Sequence, residues 1–237
     1  MPPERPVADS AAALYRDKGK GYFNYPRLDL LAMLAGRSGL RILELGAGDG
    51  ATLRTAKAMG IASHTTGIDL VAGAASGDGL PPVDRFLCGN IETADFDLPA
   101  AGFDVVLCAD VLEHLIDPWG VVRRLAGTLG PGGLLLSSIP NVRNHRVLSR
   151  LVLRGEFRYA EAGLLDRSHL RFFCRRDVRA LFEQAGLEVE AIETNMGAYG
   201  LRHKMLNVLT CGLLRDFFVF QFRTVARKPE RAAPNGP

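Results

Sequence analysis

The sequence predicts an α/β fold: a doubly wound, mostly parallel sheet with helices on both faces. Three observations carry this. Short apolar runs alternate with segments of helical periodicity through most of the chain. The glycines Gly46, Gly48 and Gly50 follow the first such run and open a helical segment. An acid, Asp69, ends the second run, 23 residues after Gly46. Strands that alternate with helices pair in parallel and are covered on both faces. Sheets of this kind bind ligands at the carboxyl ends of their strands.

The elements follow in order. Residues 26–34 read as a helix, with Pro26 at its start, Leu28, Leu31 and Leu34 at helical spacing, and Gly36 as its stop. Residues 41–45 form a buried strand, 50–59 a helix ended by Gly60, and 65–69 a second strand. Residues 71–82, rich in Gly, Ala and Pro, form a loop. Strands three and four span 84–88 and 103–108. Asp117 and Pro118 are the N-cap and first residue of a helix with a core stripe of Val121, Val122, Leu125 and Leu129. The run Gly130-Pro131-Gly132-Gly133 ends that helix, and 134–138 is the fifth strand. Residues 141–170 break the alternation and read as an insertion. Val178, Leu181, Phe182 and Ala185 define a helix over 175–185, closed by Gly186. Residues 187–192 and 217–225 are the last strands, with a helix at 202–213 between them. The organisation expected is an extension at 1–21, one domain at 22–228 with the insertion as a lid, and a disordered tail at 229–237.

Composition narrows the class. The chain has 237 residues, 47% of them apolar and 23% charged. These values exclude a disordered, collagen-like or disulfide-scaffold protein. The longest uncharged stretch, 125–142, is interrupted by glycines and prolines and predicts no membrane span. The N-terminus has early acids and only a short apolar patch at 11–14, which predicts no secretory signal. Cys88, Cys108, Cys174 and Cys211 are scattered without a CxxC pair, as expected of reduced thiols in a cytoplasmic protein. Residues 1–130 hold 12 Lys/Arg against 16 Asp/Glu, and residues 131–237 hold 17 against 10. Residues 141–179 alone hold 10 basic and 4 acidic residues. That excess is either a solvated face or a rim that attracts an anionic substrate.

The glycine cluster and Asp69 point to a nucleoside-containing ligand. Glycine lets the backbone turn sharply beside a ligand, and a carboxylate at the end of the next strand accepts hydrogen bonds from ribose hydroxyls. Gly46-x-Gly48-x-x-Ala51 also satisfies the dinucleotide pattern, so an NAD-dependent oxidoreductase remains open. Glu44, two residues before Gly46, repels a pyrophosphate and suits a ligand carrying positive charge.

Taken together, E-L-G-A-G-D-G, G-I-D-L, A-D-V-L-E-H-L and L-G-P-G-G make the chain resemble class I S-adenosylmethionine-dependent methyltransferases over roughly residues 22–193. The resemblance implies a Rossmann-like seven-stranded sheet with the last strand antiparallel, and S-adenosyl-L-methionine as cofactor. It places Gly46, Ala47 and Gly48 beside the methionine part, supported by Glu44. Asp69 is implied at the ribose, Leu70 on the adenine, Asn90 and Ile91 at the adenine edge, and Ala109 and Asp110 at the methionine group. Asn90 stands where many members carry Asp. Tyr22, Tyr25 and Arg27 fall where relatives close over the cofactor, or else pack at a helix start.

Methyl transfer to a hydroxyl needs an aligned acceptor and a base or metal for the proton. Of five histidines, His64 and His203 lack motif context and His145 lies in the basic insertion. His114 follows strand four and His169 follows strand five, which makes them the candidate catalytic residues. Asp110-x-x-Glu113-His114, with His169, resembles the ExxEH…H arrangement of small-RNA and ubiquinone-pathway O-methyltransferases, Asp110 being one carbon shorter. That resemblance implies a divalent metal such as Mg2+. The alternative is that Glu113 and His114 cap the loop and brace the sheet edge.

The stretch S-I-P-N-V-R-N-H-R…L-L-D-R-S-H-L-R-F-F resembles bacterial methyltransferases of sugars and secondary metabolites. It implies Asn141, Tyr159, Asp166 and Arg167 on the acceptor side. Arg146, Arg150 and Arg154 recur every four residues and share a helix face, toward a phosphate or carboxylate or toward solvent above Val147, Leu151 and Val152. The function expected is O-methylation of a small molecule, anionic or sugar-linked. A nucleic-acid methyltransferase is the alternative the basic insertion allows, without a separate RNA-binding module. A catalytically silent cofactor-binding subunit is a further one.

Overall fold

The computed structural model describes residues 25–71, 79–195, 205, 207–212 and 214–230. Its centre is set by strands too apolar to face water. β1 (Leu40–Leu45) and β4 (Phe103–Ala109) pair in parallel, Ile42 against Val105 through Leu45 against Cys108. Alternate side chains go to opposite faces. Ile42, Val105 and Leu107 enter one core with Leu31, Leu34, Leu53 and Ala56, whereas Leu43, Val106 and Cys108 enter the other with Val122, Leu125, Leu181 and Phe182.

β2 (Ala62–Asp69) and β3 (Arg85–Cys88) extend the sheet on one side and β5 (Leu129–Pro140) on the other, all in parallel. β7 (Gln221–Arg227) then inserts antiparallel between β5 and β6 (Glu188–Asn195). The order is β3-β2-β1-β4-β5-β7-β6, the seven-stranded sheet the resemblance implied rather than a six-stranded dinucleotide fold. α1 (Leu28–Leu31) and α2 (Ala51–Ala58) contribute the first core's helical residues, and α3 (Pro118–Thr128) and α5 (Arg175–Glu183) the second's. The direction of winding reverses between β1 and β4, which opens a crevice at their carboxyl ends.

Local chemistry moved several boundaries. The helix expected over 26–34 is one α-turn followed by a 3₁₀ turn, Ala32–Leu34. Asp117 caps α3 as expected, its Oδ1 accepting from the Gly120 amide at 3.0 Å. The Gly-Pro-Gly-Gly run follows the end of α3 at Thr128 and lies inside β5, where Lys228 beyond β7 pairs with it. Gly132 N donates to Lys228 O, Lys228 N donates to Gly133 O, and the Lys228 ammonium caps the Ala126 and Leu129 carbonyls. The last strand starts at Gln221 rather than 217, since α6 (Arg215–Phe218) occupies the preceding residues. Of the helix expected over 202–213, Met205 and residues 207–209 are helical and 210–212 form a turn. The extension at 1–21, Tyr22, His203 and residues 231–237 of the tail lie outside the described residues.

The insertion contains α4 (His145–Arg154), capped by the Asn144 side chain and ended by Gly155 at φ +62. Beyond it the chain is irregular and rests on a small cluster of Val147, Leu164 and Leu165 with Phe172 and Phe220. Asn141 locks this segment to the sheet. It is fully buried, donates to the Asp216 and Val219 carbonyls at 2.7 and 2.9 Å, and accepts from Arg143 N at 3.0 Å. The expected acceptor contact at Asn141 is therefore corrected: its amide is spent on main chain. Asn141→Ala leaves two buried carbonyls without that donor and destabilises the protein by about 2–4 kcal/mol, read from denaturant unfolding.

Candidate active site

β1 delivers the glycine loop to the crevice. Gly46 and Gly48 have φ of +72 and +57, and a Cβ on Gly46 would lie 2.2 Å from Val111 Cγ2. Only glycine satisfies both constraints at position 46. The loop is pinned from β2: Asp69 Oδ2 accepts from the Gly48 amide at 2.8 Å and Oδ1 from the Val71 amide at 3.1 Å. Burial pushes the Asp69 carboxyl up, and these amide bonds oppose the shift.

An open cleft of about 650 Å³ lies along this edge. Of the predicted cofactor residues, Gly46, Asp69, Leu70, Asn90 and Ile91 line it. Asn90 Oδ1 accepts from the Glu92 amide at 2.9 Å, which fixes the turn after β3. Glu44, Ala47, Gly48, Ala109 and Asp110 do not line this cleft. Ala47 packs in the core on the α2 face, and Gly48 is held by Asp69.

Glu44 lies beneath the loop, 2% exposed, and its Oε2 has no hydrogen-bond partner among the described residues. Desolvation pushes its carboxyl up to about 8, against the Thr52 hydrogen bond and the Arg27 charge. Ala109 ends β4, and Asp110 follows at φ +54. Asp110 binds Gln221 Nε2 and the Arg27 guanidinium, which also donates to Ser138 Oγ at 2.9 Å and pairs with Asp29. Arg27 thus joins the helix start to β4 and β5, whereas Tyr25 is exposed.

The histidines come from two separate segments. The 3₁₀ turn Leu112–His114 follows β4, and residues 166–171 return to it: the Leu170 and Arg171 amides both donate to Glu113 O, at 2.8 and 3.0 Å. This brings Glu113, His114 and His169 together, with one candidate ligand atom from each lying within 4.8 Å of the others. The His114 and His169 rings meet edge to face at 4.8 Å, and His169 Nε2 is 4.0 Å from Glu113 Oε1. His114 Nδ1 is 3.0 Å from Ser168 O and His169 Nδ1 3.2 Å from Leu164 O. A carbonyl only accepts, so each neutral ring carries its proton on Nδ1 and a lone pair on Nε2. His114 lines the cleft and His169 is buried beside it. Asp110 is not in this cluster. The four-ligand set is corrected to three because Asp110 precedes the turn at a left-handed φ and is bound to Arg27 and Gln221.

Asp166 is 2% exposed, and its Oδ1 accepts from Ser168 N and Oγ at 2.9 and 2.6 Å. It shapes the turn that presents His169. Arg167 is exposed and pairs with Glu161 at 3.1 Å. Tyr159 forms an aromatic cluster with Phe157 and Phe172, and Phe172 lies 6.5 Å from His169. Sequence reasoning missed the cleft residues Glu92, Leu115, Ile116 and Ser168. The last three flank His114 and His169 in the chain, so the motifs that named the histidines marked them too. It also missed Arg171, whose guanidinium donates to Ile116 O and faces the Trp119 ring.

The buried Glu44 has a consequence for stability without ligand. Its folded value of about 8 lies above the 4.5 of a free glutamate, so the unfolded chain ionises first. Its stabilisation is fully present below pH 4.5 and is lost as pH rises through about 8. The melting temperature of the ligand-free protein falls across this window, and Glu44→Gln flattens that part of the fall.

Comparison with known proteins completes the picture. A family model described as a methyltransferase domain matches residues 19–192. The ubiquinone biosynthesis O-methyltransferase of Aromatoleum aromaticum is 31% identical over 169 residues, covering 68% of this chain and 70% of that protein. Two solved structures share the fold at 19% identity. The methyltransferase bound to the Haloferax volcanii Trm112 activator superposes with TM-score 0.62, covering 95% of this chain and 99% of that one. The S-adenosylmethionine-dependent methyltransferase of Mesorhizobium loti superposes with TM-score 0.58, covering 89% and 99%. With a glycine loop pinned by Asp69 at the switch point of a seven-stranded sheet, and with the family model spanning most of its length, the chain belongs to the class I S-adenosylmethionine-dependent methyltransferases.

Proposed function

We propose that the chain O-methylates a hydroxyl of a small molecule placed beside His114. The observation that carries this reading is the meeting of Glu113, His114 and His169 at the edge of the cleft. The O-methyltransferase relatives point the same way. S-adenosylmethionine supplies an electrophilic methyl group on a sulfonium. The Asp69 carboxylate accepts from the ribose hydroxyls, Leu70, Asn90 and Ile91 enclose the adenine, and the glycine loop leaves room for the methionine part. Glu44 is buried beneath that loop, and its ionised form favours a cationic ligand.

His114 Nε2 takes the acceptor proton in this reading. His169 is a positioning residue, held by Leu164 O and packed against His114. The cluster of Phe157, Tyr159 and Phe172 gives a sugar or an aromatic ring an apolar face to lie on. A sugar or secondary metabolite fits this shelf. No helix among the described residues is long and apolar enough to cross a membrane.

The three donors also fit a divalent metal. Two imidazole nitrogens and one carboxylate suit a transition metal better than the all-oxygen shell Mg2+ prefers. Glu113, His114 and His169 would hold the ion, which would lower the pKa of the acceptor hydroxyl.

Two measurements test the reading. Asp69→Ala raises the dissociation constant for S-adenosylhomocysteine about tenfold or more by calorimetry, and unchanged affinity removes its ribose role. His114→Ala lowers kcat by about 10²–10⁴-fold while leaving that affinity intact. Full activity in His114→Ala overturns the assignment. Exhaustive chelation separates the two routes: activity lost and restored by Mn2+ or Zn2+ supports the metal, and unchanged activity leaves His114 as the base.

A further inference from the structure

The free end of α4 does not line the cleft, and its surface is unusual. Val147 is buried and Leu148 half-buried, so the first turns of the helix dock on the body. From Leu151 onward the helix leaves it. Leu151, Val152 and Leu153 are 43, 76 and 80% exposed, a run of three aliphatic side chains in water.

The charge around this tip has one sign. Arg146, Arg150 and Arg154 sit four residues apart and form one stripe along the helix. Arg150 and Arg154 make no ion pair among the described residues, and Arg158, just beyond Gly155, pairs with Glu156 at 3.1 Å. From 143 to 158 the chain carries five arginines and one acid. Aliphatic side chains at a helix end, flanked by long cationic side chains, match the interface of a bilayer with anionic headgroups. The aliphatics leave water, the arginine stems lie along them, and the guanidinium groups meet phosphates. An acidic protein surface would satisfy the arginines but leave three projecting aliphatics without an apolar counterpart.

We propose that the tip of α4, Leu151 to Leu153 with Arg150 and Arg154, docks this enzyme peripherally on an anionic lipid bilayer. The docking is shallow and reversible, because one turn of helix cannot span the hydrocarbon. The site is separate from the histidine cluster, so the proposal stands or falls independently of the acceptor.

The experiment is co-sedimentation of the full chain with vesicles of phosphatidylcholine alone and of an equal mixture with phosphatidylglycerol. The chain pellets with the mixed vesicles only, and raised salt releases it. The double variant Val152→Asp with Leu153→Asp loses partitioning by roughly tenfold or more, while keeping its melting temperature and its affinity for S-adenosylhomocysteine. Arg150→Gln with Arg154→Gln weakens binding and flattens the salt dependence. No binding to the mixed vesicles at low salt overturns the proposal, and so does equal binding by the aspartate variant. A dimer in size-exclusion chromatography that the aspartate variant dissolves assigns the face to a second copy and also overturns it.

Discussion

The parallel ladder between β1 and β4 is the constraint on which the rest of the molecule depends. Both strands are buried on both faces, so neither can slip by one residue without moving a full set of aliphatic side chains to the wrong core. That fixed register places Glu44 and Gly46 at one strand end and Ala109 and Asp110 at the neighbouring one. The glycine loop and the turn that carries His114 therefore leave the sheet side by side. Asp69 from β2 and His169 from the insertion are brought to these two exits.

Three of the acids at this edge are held in different ways. Asp69 accepts main-chain amides, which hold the glycine loop across two strands. Asp110 is neutralised by Arg27 and tied to β7 through Gln221. Glu44 is left with an unpartnered oxygen and a carboxyl pushed up to about 8. An unpaired buried charge is costly, so the ligand-free protein keeps Glu44 protonated at neutral pH.

The histidine pair depends on the insertion. Hydrogen bonds from Leu170 and Arg171 to Glu113 O, and from Arg171 to Ile116 O, fasten the end of the insertion to the turn after β4. Asn141 and Asn144 fasten its beginning to the Val219 carbonyl just before β7. The insertion is thus anchored at both ends, and the end of α4 between these anchors stands free. One segment presents His169 inward and an apolar, basic helix tip outward.

The sequence by itself determined the strands, their alternation with helices, the glycine loop and the acid Asp69 at the end of β2, because each depends on local pattern: apolar periodicity, positive φ, or an acid at a strand end. It also named both histidines from their motifs. The placement of Asn141 and Asp110 was decided only by the tertiary structure. These are polar residues in functional-looking motifs, and their partners are 75 and 83 residues away in sequence. A buried amide or carboxylate takes whatever donors and acceptors the fold brings to it, and one-dimensional spacing does not record which those are. The same holds for the glycine run at 130–133, which the sequence marks as the end of a helix and Lys228 draws into β5. Local sequence sets the conformations a segment prefers, while long-range hydrogen bonding and burial decide which polar groups remain available for chemistry.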